Sequence, residues 1–178
     1  EGGTHTVSAL AAPREAEFSA FTYREPVGVV AAIVPWNFPL LITSWKLGPA
    51  LAAGCTVVLK PAEQTSLSAL YLGRLIQEAG FPAGVVNIVT GDGSNTGEAL
   101  IRHPGINKIS FTGSTKVGQL IGRAAMDNMA RVTLELGGKS PVVILEDYDP
   151  EQAAAQAAQA IFFNHGQVCS AGSRLYVH

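Results

Sequence analysis

The sequence is poor in cysteine and in charge. Only Cys55 and Cys169 among its 178 residues are cysteines, and charged residues make up 15%. Two cysteines are too few for a disulfide framework in a chain of this length, and the opening EGGTHTVSAL lacks the regions of a signal peptide. A cytoplasmic setting is therefore expected. The net charge of -2 and the lack of a basic cluster predict no nucleic-acid partner.

Long apolar runs and metal-ligand patterns are also missing. The nearest candidate for a membrane span, residues 27–45, is interrupted by Pro35, Asn37 and Pro39. It falls short of the roughly 18 uninterrupted apolar residues that a span requires, so no membrane partner is expected. No metal site is predicted either, because the spacing of a ligand set is absent from the histidines, which are His5, His103, His165 and His178.

The sequence does contain a regular alternation of apolar runs and helical stretches. Strands are predicted at 27–34, 55–60, 85–89, 108–113, 132–136 and 141–145. Helices are predicted between them, including one at 66–79 that Gly80 ends and one that Asp149 and Pro150 begin. Strands that alternate with helices indicate an α/β fold with a doubly wound parallel sheet.

The segment FFNHGQVCSAGSR raises the question of what Cys169 does. Gly166 and Gly172 flank this cysteine and allow close approach of a substrate. A cysteine nucleophile must be exposed and partly ionised, and a buried structural thiol is the alternative. The local sequence leaves both interpretations open. Cys55, which begins the apolar run CTVVLK, is predicted to lie in the core.

Two more residues offer catalytic chemistry at the ends of predicted strands. Glu135 in LELGGKSP lies near the carboxyl end of a strand, where it can act as a general base or simply face solvent. Asn37 in PWNFP is held between Pro35 and Pro39, which restrict the backbone. Its amide can stabilise an oxyanion, and a purely structural turn is the alternative.

Two further motifs are suited to a nucleotide. FTGSTKVG (111–118) reads as a strand, a glycine turn and a helix start, although it is neither a P-loop nor G-x-G-x-x-G. Backbone N–H groups at such a helix start, with Ser114, favour a phosphate. In KPAE, Lys60 and Glu63 can hydrogen-bond sugar hydroxyls or form a surface ion pair.

In this order, EPVGVV, PWNFP, KPAE, FTGST, LELGGKSP and NHGQVCSAGSR resemble motifs of the aldehyde dehydrogenase superfamily, from about residue 23 to residue 178. The resemblance implies that Cys169 attacks the aldehyde and forms a thiohemiacetal. It also implies that Asn37 and the Cys169 backbone N–H form an oxyanion hole. Hydride transfer to a nicotinamide then leaves a thioester, which water activated by Glu135 hydrolyses to the acid.

The resemblance also implies a dinucleotide site in a Rossmann-like cofactor domain. Ser114 and Trp36 match positions near the pyrophosphate, and Lys60 and Glu63 match contacts of the adenosine ribose. A carboxylate at Glu63 should favour NAD, with NADP possible in some members. The other predicted cofactor residues are Ile33, Val34, Gly93, Gly97, Phe111, Gly113, Val117, Gly118 and Leu136.

Three regions follow from this resemblance: part of a bridging arm (1–25), a partial dinucleotide-binding domain (26–136) and the start of a catalytic domain (137–178). The chain is expected to be a segment of a longer enzyme that forms a homo-oligomer, either a dimer or a tetramer, and acts on a small-molecule aldehyde. An apolar or aromatic aldehyde is suggested by Phe38, Trp45 and Phe163, which are alternatively core residues. A CoA-acylating relative and a non-catalytic structural or binding protein are the other readings.

Overall fold

A parallel five-stranded sheet forms the centre of the fold. The computed structural model describes residues 23–178, so the predicted arm lies almost entirely outside the described residues. The sheet order is β3-β2-β1-β4-β5, with all neighbours parallel. The strands are β1 (Val29–Ile33), β2 (Thr56–Lys60), β3 (Val86–Ile88), β4 (Lys108–Gly113) and β5 (Arg131–Leu136). The predicted α/β class with a parallel sheet is confirmed.

Helices cover both faces of this sheet. They are α1 (Pro39–Ala52), α2 (Ser66–Glu78), α3 (Glu98–Arg102) and α4 (Thr115–Asp127). Because neighbouring side chains of a strand point to opposite faces, Val30 packs with Leu47 of α1 while Ala31 packs with Ile121 of α4. The continuous apolar run of β1 is therefore explained by burial on both faces.

The helix boundaries largely follow the sequence signals. Gly80 follows α2 with a left-handed φ of 83°. Asp149 caps α5 (Pro150–Phe162), because its side chain accepts a hydrogen bond from the Gln152 N–H at 2.9 Å. The helix predicted around 94–102 is instead divided into a π-helical turn at Gly93–Gly97 and the short α3.

The last part of the chain forms a second, smaller sheet. β6 (Pro141–Ile144) pairs in parallel with β7 (Arg174–Val177), and α5 connects them. All four residues of β7 are exposed. The boundary between 136 and 137 stays a prediction, as do the cytoplasmic setting and the homo-oligomer. None of the helices in residues 23–178 has the length and apolar character that crossing a membrane requires.

Candidate active site

A cleft of about 650 Å³ opens at the carboxyl ends of the central strands. Its lining comes from the segments that follow β1, β2, β3 and β4, as expected for a ligand site in a doubly wound sheet. The structure places most of the predicted cofactor residues here, namely Ile33, Val34, Trp36, Lys60, Glu63, Gly93, Gly97, Phe111, Gly113, Ser114 and Val117.

Two predicted cofactor residues do not line this cleft. Gly118 is buried in α4, where a Cβ would lie only 2.5 Å from Leu136 Cδ2, so its role there is close packing. Leu136 lines a neighbouring cavity instead. The sequence reasoning missed Ser94, Ile101 and Leu120 in the cleft wall, because small polar and apolar helix residues carry no distinct signal.

Two capped turns contribute residues to the lining of this cleft. Ser114 caps α4, and its hydroxyl accepts a hydrogen bond from the Val117 N–H at 3.3 Å. The positive end of this helix dipole therefore faces the cleft. Asp92 caps the second turn, at 93–97, which contributes Gly93 and Ser94 to the lining. Hydrogen bonds from Asn95 and then Ser94 lower the pKa of Asp92 from 3.8 to about 2.

Lys60 and Glu63 form a pair that is not confined to the surface. The Lys60 side chain is 4% exposed and that of Glu63 is 51% exposed, with Nζ and Oε2 3.8 Å apart. Lys60 Nζ also donates to the Pro61 carbonyl oxygen at 3.3 Å. Because the Lys60 side chain is buried at the wall of the cleft, a simple surface ion pair does not describe this arrangement.

A second cavity, of about 570 Å³, contains Cys169 and Asn37. It shares part of its wall with the first cleft, namely Pro35, Trp36, Thr112, Gly113 and Ser114. A molecule in one cavity would therefore lie next to a molecule in the other. Cys169 is exposed, whereas Cys55 is 5% exposed and belongs to the core.

The Asn37 side chain is held in a defined orientation. Its Nδ2 donates to the Gln167 carbonyl oxygen at 2.8 Å, two residues before Cys169. An amide nitrogen has two N–H donors, so this bond orients the group and uses one of them. The arrangement is suited to presenting the other donor to an oxygen that develops negative charge beside Cys169.

Glu135 lies beside this cavity rather than in its lining. It is exposed and pairs in register with Thr112 of β4, which does line the cavity. Three residues after Glu135, Gly138 packs against the Cys169 backbone, because a Cβ on Gly138 would lie 3.1 Å from the Cys169 carbonyl oxygen. Glu135 is thus on a segment that reaches the nucleophile candidate, with its side chain open to water.

Lys46 is a candidate that the sequence analysis missed. It is 9% exposed, and its Nζ donates to Ser110 Oγ at 3.0 Å. Burial lowers its pKa from 10.5 to about 8, Glu135 opposes this shift, and Lys108 adds to it. A single lysine in the apolar stretch SWKLGPAL was the available signal.

No group of three or more metal-ligating side chains occurs within residues 23–178.

Replacing Lys46 with methionine is expected to change how stability depends on pH. Because the folded pKa lies below the unfolded value, the wild type gains stability as pH rises from about 8 to about 10.5, where the unfolded chain binds more protons. In Lys46→Met this gain, roughly 3 kcal/mol at most, should be absent. Urea unfolding at several pH values measures it. Lys116→Met, which alters an exposed lysine of α4, is the control, and an equal pH slope in wild type and Lys46→Met would contradict the prediction.

Comparison with known proteins extends over nearly the whole chain. Residues 3–178 match the sequence model described as the aldehyde dehydrogenase family. The chain is 62% identical over 169 residues to phenylacetaldehyde dehydrogenase of Pseudomonas fluorescens, covering 95% of this chain and 34% of that protein. It is 56% identical over 177 residues to retinal dehydrogenase 2 of Gallus gallus, covering 99% of this chain and 34% of that protein.

A solved structure agrees in both sequence and fold. The NAD+ complex of an aldehyde dehydrogenase from Bacillus cereus has a TM-score of 0.84 and 60% identity, covering 86% of this chain and 31% of that chain. This chain therefore spans about a third of the length of the relatives it matches. With a family match over almost all of its residues, the chain belongs to the aldehyde dehydrogenase family.

Proposed function

We propose that the protein containing this chain oxidises an aldehyde to a carboxylic acid and uses NAD as the hydride acceptor. One observation carries the proposal: the cavity with Cys169 and Asn37 shares a wall with the cleft that holds the predicted cofactor residues. This adjacency is what direct hydride transfer from substrate to cofactor requires. Family membership supports the reaction class.

Cys169 is the proposed nucleophile. Its thiolate adds to the carbonyl carbon, which forms a C–S bond and moves the π electrons to the oxygen. Asn37 Nδ2 and the Cys169 backbone N–H would stabilise that oxyanion. The exposure of Cys169 supports this role, because a nucleophile must be accessible, and the Gln167 contact fixes the Asn37 amide beside it.

The residues of the first cleft fit a dinucleotide. Bound NAD would supply the hydride acceptor. Loss of hydride from the thiohemiacetal carbon, as the oxyanion re-forms the C=O bond, would leave Cys169 as a thioester. Ser114 and the start of α4 favour the pyrophosphate. Lys60 and Glu63 would hold the adenosine ribose. The Glu63 carboxylate accepts a hydrogen bond from a 2′-hydroxyl and repels a 2′-phosphate, which favours NAD over NADP. The NAD+ complex of the Bacillus cereus relative supports this choice.

Glu135 is the proposed base for hydrolysis of the thioester. It would remove a proton from a water molecule, which attacks the thioester carbon and releases the carboxylic acid and the Cys169 thiol. The water-exposed position of Glu135 beside the cavity supports this task. The buried Lys46 ammonium exerts a favourable charge interaction on the same carboxylate.

The substrate is proposed to be an apolar, aromatic aldehyde. Aromatic side chains line the cavity: Phe38 just before α1, Trp45 within α1 and Phe163 just after α5. The rings of Phe38 and Phe163 stack with centroids 6.2 Å apart. A phenyl group placed against such walls would be removed from water. The phenylacetaldehyde dehydrogenase relative supports the same class.

The test is NADH formation by the full-length protein with a panel of aldehydes. Phenylacetaldehyde should exceed acetaldehyde in kcat/KM by about tenfold or more, because burying a phenyl ring contributes roughly 1.5–3 kcal/mol. Replacing NAD by NADP should lower the rate. Absence of NADH with every aldehyde would contradict the function. A reaction that depends on added CoA and yields an acyl-CoA would instead favour the CoA-acylating alternative.

A further inference from the structure

Three consecutive residues with left-handed backbone connect α5 to the segment that carries Cys169. They are Asn164 (φ 48°, ψ 40°), His165 (φ 58°, ψ 27°) and Gly166 (φ 74°). A helix commonly ends with a single such residue, usually glycine, because a Cβ is crowded in this region. Asparagine adopts this conformation more readily than most residues, whereas a histidine does so at a cost, and backbone of this kind accumulates at functional sites.

The strained turn directs the Asn164 side chain toward the loop that carries Asn37. Asn164 Nδ2 lies 3.4 Å from the Asn37 carbonyl oxygen and 3.5 Å from the Gln167 carbonyl oxygen. The Asn164 carbonyl oxygen accepts a hydrogen bond from the Gln167 N–H at 3.0 Å. The two amides of Asn37 and Asn164 thus converge on one oxygen, that of Gln167, which has two lone pairs to accept them.

We propose, resting on the function proposed above, that Asn164 is a positioning residue for the attack of Cys169 on the aldehyde. It holds the carbonyl groups of Asn37 and Gln167 in place, so that the Asn37 amide keeps its second N–H aimed at the developing oxyanion. Asn164 itself touches no substrate. Loss of its amide would free the Gln167 peptide to rotate and would misdirect Asn37.

Three substitutions distinguish the effect of the backbone conformation of this turn from the effect of its side-chain contacts. Asn164→Gly keeps a residue that accepts left-handed backbone and removes the amide. Asn164→Asp keeps the shape but places a carboxylate against two carbonyl oxygens. His165→Gly relieves backbone strain at a residue that does not line the cavity, and it serves as the control.

Steady-state kinetics and NAD binding are measured on the full-length protein. Asn164→Gly and Asn164→Asp should lower kcat by about tenfold to a hundredfold, the effect of a small misplacement of a catalytic group. The Kd of NAD, followed by fluorescence titration, should stay within about twofold, since the cofactor cleft is not lined by Asn164. His165→Gly should keep kcat within about twofold.

A double-mutant cycle with Asn37→Ala gives the decisive comparison. If Asn164 acts through Asn37, Asn164→Gly should lower kcat further by less than about twofold in the Asn37→Ala background. An equal loss in both backgrounds, or no loss in the wild-type background, would overturn the proposal. Cys169→Ala in the same assay keeps the two proposals distinct. Activity surviving in Cys169→Ala would refute the function itself, whereas an inactive Cys169→Ala with an additive cycle refutes only the role of Asn164.

Discussion

Replacing Cys169 with alanine should abolish NADH production from every aldehyde. The expected loss in kcat is at least about a thousandfold, as when the nucleophile of a covalent mechanism is removed. The second cysteine of this chain cannot take its place, since Cys55 is 5% exposed and lies in the core beside β2. Initial-rate assays with NAD and phenylacetaldehyde measure the effect, and NAD binding should persist because the cofactor cleft does not include Cys169.

Cys55→Ala is the matched control for this substitution. It makes the same cysteine-to-alanine change at a residue in the core. It should therefore lower the free energy of unfolding by about 1 kcal/mol and leave kcat nearly unchanged. Thermal unfolding and initial rates separate the two effects. Aldehyde oxidation that survives in Cys169→Ala, or that disappears in a folded Cys55→Ala protein, would contradict the assignment of the nucleophile.

Glu135→Gln should stop the reaction after hydride transfer. NADH should form rapidly up to one equivalent per active site, and steady-state turnover should then fall by about 10²- to 10⁴-fold, the contribution of a general base. The reason is that glutamine keeps the size of the side chain but cannot accept the proton of the attacking water. Stopped-flow absorbance measures the burst, and mass spectrometry of the quenched enzyme should detect the acyl group on Cys169.

Arg131→Gln provides a control on the same strand. Arg131 is also an exposed residue of β5, but it lies at the opposite end from the cavity, so its replacement should leave burst and turnover unchanged. Steady-state turnover of Glu135→Gln within about twofold of wild type would show that another group activates the water. A loss of the burst as well would place Glu135 in an earlier step than hydrolysis.

Local signals were sufficient for most of the secondary structure. The continuous apolar run of β1 predicted a strand covered on both faces, and Asp149 followed by Pro150 predicted the start of α5. These signals work because capping, backbone restriction and burial periodicity act over a few residues. The region 93–102 was less predictable. Hydrogen bonds from Ser94 and Asn95 to Asp92 favour a π-helical turn there, and α3 is shorter than the pattern suggested.

Chemistry that depends on burial was harder to read from the sequence. Lys46 is one charge in an apolar stretch, and only its packing in α1 beside Ser110 explains why its pKa falls to about 8. The Lys60 pair was open to interpretation as a surface contact, and the structure buries the lysine. In both cases the side chain is buried by strands and helices that are distant in the chain. A short stretch of sequence around the lysine does not include those elements.

Sequence patterns predicted the class of fold, the ends of most elements, and the residues proposed here as nucleophile, oxyanion donor and cofactor contacts. Which of these residues lie near one another depends on the tertiary contacts. The Asn37 amide is oriented by the Gln167 carbonyl oxygen at 2.8 Å, and Cys169 lines a cavity that adjoins the cleft at the carboxyl ends of the central strands. The physical reason is that residue type and local backbone preference are carried by the nearest neighbours in the chain. Distance, orientation and burial at an active site arise instead from contacts between segments far apart in the chain, such as those of Asn37 and Gln167.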